Sequence, residues 1–117
     1  MSRRKHGPAG TLRRAAPLFA ALGDQTRLRL MIRLSEREPL SITELASGTD
    51  ITRQAVTKHL RVLADAGLVR GVREGRESSW ELQPERLDEA RRGLDLIARQ
   101  WDVALARLKA LVEETDG

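Results

Sequence analysis

The 117-residue sequence has no cysteine, which excludes a disulfide framework, an iron–sulfur cluster, a thiolate zinc site and a thiol nucleophile together. It has only two histidines, His6 and His59, too few for a histidine-rich metal site within one chain. No apolar run approaches the roughly 18–20 residues that span a bilayer, so no membrane partner is expected. There is no G-x-S-x-G, no P-loop and no G-x-G-x-x-G. The adjacent acids Asp88/Glu89 and Glu113/Glu114 fall on the outer face or the end of the last predicted helix. Neither histidine sits in a triad-like context. An enzyme is therefore disfavoured, and no cofactor or metal is implied.

What is present is charge. Hydrophobic residues make up 40% and charged residues 32%, a globular composition for a single domain. The net charge of +4 is unevenly placed. Residues 1–14 carry Arg3, Arg4, Lys5, Arg13 and Arg14 and no acid, so the other residues are close to neutral. An argument for nucleic acid must therefore come from local clusters rather than from the total. Arginine far outnumbers lysine, which suits planar two-pronged contacts. With Gly7, Pro8 and Gly10 and almost no large apolar residue, residues 1–14 read as a disordered basic arm ahead of one domain, 15–117. The arm is a solvated tail or an element that touches phosphates or a minor groove.

Ordered structure is expected from about Ala15. Leu18, Phe19 and Leu22 form a short helical face ended by Gly23. Asp24 offers an N-cap to a helix running to about Arg37, whose Leu28, Leu30, Met31, Ile32 and Leu34 predict burial around much of its circumference. Ser41 and Glu44 make a Ser-x-x-Glu capping box for a short helix, with Ile42, Leu45 and Ala46 inside and Gly48 as its stop. Thr52 caps a longer helix to Ala66, ended by Gly67. Two helices joined by a tight turn are a helix-turn-helix pattern. Leu68–Arg73 and Ser78–Leu82 then read as two strands around the turn Glu74-Gly75-Arg76-Glu77, the placement of a wing. Pro84 opens a last helix of about 28–30 residues, with Gly93 a soft spot. Its apolar stripe runs Leu87, Ala90, Leu94, Ile97, Trp101, Leu105, Leu108, Val112, more than one small domain needs, so a second chain is expected to cover it.

On a wheel of the Thr52–Ala66 helix, Arg53, Thr57, Arg61, Gln54 and Lys58 fall within roughly 140°. Val56, Leu60 and Leu63 lie opposite. Arginine suits the guanine O6/N7 edge and glutamine the adenine N6/N7 edge, while lysine and threonine suit phosphates. On this wheel Arg53 and Gln54 are expected to read bases, and Lys58 and Arg76 to hold phosphates. Arg73 and Arg76 add a second cationic point, although Arg73–Glu77 as a whole is neutral; the hairpin lies along the backbone, reaches a minor groove, or is a solvated turn. His59, on the apolar side, fits a hydrogen bond to the protein or a nearby phosphate better than a ligand role. Trp80 and Trp101 are expected in the core or a dimer seam, with a small-molecule pocket the alternative for Trp101.

Several stretches together resemble one family. Phe19-Ala20-Ala21-Leu22-Gly23-Asp24-Gln25-Thr26-Arg27-Leu28-Arg29-Leu30, Ala55-Val56-Thr57-Lys58-His59-Leu60-Arg61-Val62-Leu63, Ala66-Gly67-Leu68-Val69 and Arg73-Glu74-Gly75-Arg76 resemble the second-helix entry, recognition helix, helix exit and wing tip of ArsR-type bacterial repressors. The resemblance covers about Ala15 to Leu82 and extends more loosely through the last helix. It implies a mainly α fold with a small β-hairpin, a winged helix-turn-helix with a long C-terminal dimerisation helix. It implies a cytoplasmic bacterial homodimer on a near-palindromic double-stranded operator, repressing by occluding a promoter. The expected DNA-contacting set is Thr52, Arg53, Gln54, Thr57, Lys58, Arg61, Arg73 and Arg76. The expected dimer interface is Leu18, Phe19, Leu94, Ile97, Trp101, Leu105 and Leu108. Metal sensors of this family use cysteines in the first helix of the helix-turn-helix or Asp/His sets on the last helix. Here the first segment reads Ser41-Ile42-Thr43-Glu44-Leu45-Ala46-Ser47 and the last helix has no histidine. Neither sensor carries over, and any inducer would be an unidentified small molecule or protein. The alternative from another class is a winged-helix module that binds proteins without sequence-specific DNA recognition.

Overall fold

The computed structural model describes residues 7–116. Five helices and three strands follow in the order α1 (Pro8–Leu22), α2 (Gln25–Glu36), β1 (Leu40–Ser41), α3 (Ile42–Ala46), α4 (Arg53–Asp65), β2 (Val69–Glu74), β3 (Glu77–Leu82) and α5 (Pro84–Asp116). The fold is mainly α with a small antiparallel sheet of order β1-β3-β2.

Three of the helix starts follow local side-chain chemistry. The Asp24 carboxylate accepts from Arg27 N–H at 3.0 Å and opens α2. At α3 the capping box is complete: Ser41 Oγ accepts from Glu44 N–H, and Glu44 Oε1 accepts from Ser41 N–H at 2.8 Å. Thr52 Oγ1 accepts from Ala55 N–H at the head of α4.

The core is built by Leu18 from α1, Leu30, Met31 and Leu34 from α2, Leu45 from α3, and Val56, Leu60 and Leu63 from α4, closed by Leu68 and Val69. α2 buries one face rather than most of its circumference. Leu28 and Ile32, expected inside, are 45% and 55% exposed. The buried residues of α2 are Leu30, Met31 and Leu34.

The basic segment expected to be disordered through Arg14 is helical from Pro8, a correction that needs a distant partner as well as a local start. Proline at the first helical position presets φ where its missing N–H costs nothing. The new turns then dock on α5, where Arg14 bonds Glu89. Residues 1–6 of that arm, with Arg3, Arg4 and Lys5, lie outside the described residues.

Gly93 is likewise no soft spot. A Cβ there would stand 2.8 Å from the Ala15 Cβ and 3.1 Å from the Phe19 ring. The glycine sets how closely α1 and α5 cross. Strand β1 was not anticipated: two residues, Leu40 and Ser41, pair with Trp80 and Ser79 of β3. The hairpin matches expectation, with Glu74 opposite Glu77 and a two-residue loop, Gly75-Arg76. Gly75 has φ +62°, the positive value a II′ hairpin turn demands at its first central position.

Candidate nucleic-acid interface

α3 and α4 meet through a short turn that a side chain from α2 holds. Arg33 Nη1 donates to Leu45 O at 2.7 Å and Ser47 O at 3.3 Å, and Nη2 donates to Glu44 O at 2.9 Å. A five-residue helix has few internal bonds, so its terminal carbonyls need this outside partner. Arg33 was not singled out from sequence, because the carbonyls it serves are 11 to 14 residues away in the chain.

The inner side of α4 packs on the core through Val56, Leu60 and Leu63. His59 sits half-buried on that side. Arg27 Nη1 stands 3.3 Å from His59 Nδ1, and Asp24 Oδ2 stands 3.8 Å from the same nitrogen. Arg27 Nε meanwhile donates to Ala21 O at 2.5 Å. The N–H of Arg27 does most to hold the Asp24 carboxyl below its ordinary value, against desolvation, and the charge of Arg27 and the nearby His59 add less. His59 thus bonds within the protein, as its place on the wheel suggested.

The outer side carries the expected cluster. Thr52, Arg53, Gln54, Lys58 and Arg61 are exposed and Thr57 is half-buried. The structure divides these residues between two hollows. Thr52, Gln54, Ala55, Thr57, Lys58 and Arg61 line one of about 550 Å³ along α4. Arg53 turns to the other, a groove of about 610 Å³ between α3, the start of α4 and the wing, where it meets Ser41, Ile42, Thr43, Glu44, Arg76, Glu77 and Ser78. Arg73 is exposed on β2 opposite Ser78 and lines neither. Thr43 and Ser78 were missed from sequence. A capping box draws attention to its ends rather than to the residue between, and a serine in a strand carries no signal of its own.

Two threonines are already committed within the helix. Thr57 Oγ1 donates to Arg53 O at 2.9 Å, whereas Thr52 Oγ1 accepts from Ala55 N–H at 3.0 Å. The Ser41 N–H, more than any other group, holds the Glu44 carboxyl below its usual range.

A second surface lies on α5. Leu94, Ile97, Trp101, Leu105 and Leu108 are 37% to 62% exposed, with Leu111 and Val112 exposed beyond them. α1 runs antiparallel to α5 and reaches only to about Arg99, where Pro8 and Thr11 face Arg92, Asp95, Leu96 and Arg99. Beyond that point α5 continues as a bare helix, exposed to Thr115. The radius of gyration, 19.2 Å, exceeds the roughly 13 Å of a compact chain this long because of that overhang. Leu18, expected in the dimer seam, is 1% exposed inside its own chain and has no surface left for a partner. Phe19 is half-buried against Gly93. Among the described residues no group of three His, Asp or Glu stands where it could hold a metal. No described helix is long and apolar enough to cross a membrane.

A helix-turn-helix followed by a β-hairpin and a cationic recognition face defines a winged helix-turn-helix DNA-binding protein. A family model described as a helix-turn-helix domain matches residues 22–72. An uncharacterized HTH-type transcriptional regulator, YuzN, of Bacillus subtilis is 48% identical over 65 residues, 50% of this chain and 71% of that protein. Among solved structures, an ArsR-like transcriptional regulator from Rhodococcus sp. RHA1 superposes with a TM-score of 0.70 at 36% identity, covering 87% of this chain and 95% of the other. The homodimeric winged helix-turn-helix DNA-binding domain of a possible ArsR-family regulator from Mycobacterium bovis gives 0.61 at 25% identity, covering 94% and 95%. The chain belongs to the ArsR family of winged helix-turn-helix transcriptional regulators.

Proposed function

We propose that this DNA-binding regulator works as a homodimer that represses by occupying a near-palindromic operator and blocking polymerase, in the bacterial cytoplasm. The observation that carries the reading is the pairing of two exposed surfaces on one small fold. One is the outer side of α4, which carries no acid from Thr52 to Arg61 and presents Gln54, Thr57, Lys58 and Arg61. The other is the uncovered apolar stripe of α5. A stripe this long is unfavourable in water, and a second α5 supplies the matching surface. The homodimeric solved relative supports the same arrangement.

In such a dimer two α4 helices address successive major grooves about 34–36 Å apart. The expected interface is Phe19, Leu94, Ile97, Trp101, Leu105 and Leu108, without Leu18. Thr52, Gln54, Thr57, Lys58 and Arg61 face the major groove, and Arg73 and Arg76 bring the wing to the backbone. We read the regulator as independent of thiolate-bound metal, since the chain offers no cysteine. Its effector is then a small molecule or a protein.

The test is a salt-titrated binding assay on duplexes from the chain's own upstream region, alongside sedimentation. The expected result is a dimer at micromolar concentration that prefers an upstream duplex over a shuffled one and keeps that affinity with zinc, cadmium or arsenite added. A monomer throughout, or equal binding to every duplex, overturns the reading in favour of a protein-binding module.

A further inference from the structure

We infer that Arg53 is a backbone clamp rather than a base reader, gripping DNA together with Arg76 of the wing and leaving discrimination to Gln54 and Thr57. The inference rests on the placement of α4 against DNA proposed above, and it goes beyond it by dividing the labour on the helix.

Geometry is the first argument. Arg53 is the first residue of α4, yet it lines a different hollow from Gln54, Thr57, Lys58 and Arg61. It shares the groove between α3 and the wing with Arg76, Thr43 and Ser78. Three separate elements deliver two guanidinium groups and two hydroxyls to one hollow. All four groups can donate to a phosphate oxygen. The hollow is open and much larger than one phosphate group, so it takes a passing strand of backbone. The edges of stacked bases lie on the other side of α4, where the helix itself enters the major groove.

Hydrogen-bond accounting is the second. A hydroxyl has one hydrogen to give and two lone pairs. Thr57 gives its hydrogen to Arg53 O, so outward it can only accept. Phosphate oxygens only accept, so Thr57 suits a base amino group or, by its methyl, thymine. Thr52 has the opposite position: its oxygen accepts from Ala55 N–H and its hydrogen remains for a phosphate. The division between holding and reading therefore runs through residues of one type.

Two carboxylates also line the groove. Glu44 is held by Ser41 N–H at 2.8 Å and stands 3.5 Å from Arg37, which offsets its charge. Glu77 opposes an incoming phosphate, which makes it a brake on affinity for every sequence.

The test uses the full-length chain, a duplex it enriches from a randomised pool, and a shuffled version, each at several salt concentrations. Arg53→Ala is expected to weaken both duplexes by the same factor, about tenfold, and to make the salt slope shallower by about one. Arg76→Ala is expected to do the same, and the double variant to lose less than the product of the two, because both grip the same stretch. Glu77→Gln is expected to tighten both duplexes. Gln54→Ala and Thr57→Val are expected to weaken the enriched duplex alone. Melting curves are run to check that each variant keeps the fold. The clamp is overturned if Arg53→Ala affects only the enriched duplex, shifts the enriched sequence at one position, or changes nothing. If the wild-type chain enriches no sequence, the operator reading fails first and visibly, before any variant is compared.

Discussion

Asp24 opens α2 with its carboxylate while facing Arg27 and, more distantly, His59. Its carboxyl lies below the ordinary 3.8, and those of Glu44 and Glu89 lie below 4.5. For Glu89 the main cause is the Arg14 guanidinium. A carboxyl that is more acidic in the folded state contributes stability above its ordinary value, and that contribution fades as pH falls through the folded value. The protein is therefore expected to lose stability steadily below about pH 4.5. Asp24→Asn keeps a good cap while removing one titrating group. It is expected to hold most of the neutral-pH stability and flatten the acid limb in denaturant melts at stepped pH; an unchanged limb would show that Asp24 contributes nothing to it. These capping residues were legible in the sequence because a cap is a local event, decided within three or four positions. Leu28 and Ile32 were not. An apolar residue announces a wish for burial without saying which neighbours exist to provide it.

At the scale of elements, what the sequence hid is what depends on contact between distant segments. The three capped starts, the helix-turn-helix and the wing turn all follow from residues near one another. The early start of α1 does not, since those turns rest on α5 across 75 residues of chain. Strand β1 is equally dependent, with two residues that are a strand only because Trp80 and Ser79 are there to pair. The split of the recognition face, too, needs the wing in place before Arg53 has a second surface to turn to. Gly93 shows the same logic in energy. Alanine would gain helix propensity of about 1 kcal/mol, but its methyl would meet the Ala15 Cβ at 2.8 Å. Gly93→Val adds bulk with no such gain, and overpacking of this kind costs about 1–3 kcal/mol. A thermal melt is expected to show a lowered midpoint. A midpoint at or above that of the wild type would mean that α1 and α5 do not cross so closely in solution.

For the whole molecule the decisive feature is α5, about 50 Å long and covered over only part of that length. Leu105→Asp is expected to give a monomer in sedimentation and to weaken operator binding with it, because a carboxylate replaces a side chain whose full burial contributes about 1.5–3 kcal/mol. Trp101, 62% exposed in one chain, offers an optical reading of the same event. Its emission is expected to shift to the red on dilution as the seam opens, and Trp101→Phe is expected to abolish the shift, since Trp80 packs against the chain's own core. No shift across the range where sedimentation finds dissociation would place Trp101 outside the seam. In the dimer proposed above, the overhang of α5 would also give the fold a memory of its own abundance. A solitary copy would carry a greasy rod open to proteases and chaperones, whereas a paired copy would hide it. Cells holding few copies would clear them, and cells holding many would keep them. Occupancy of a promoter would then climb with the square of supply, turning a gradual change in synthesis into an abrupt change in transcription.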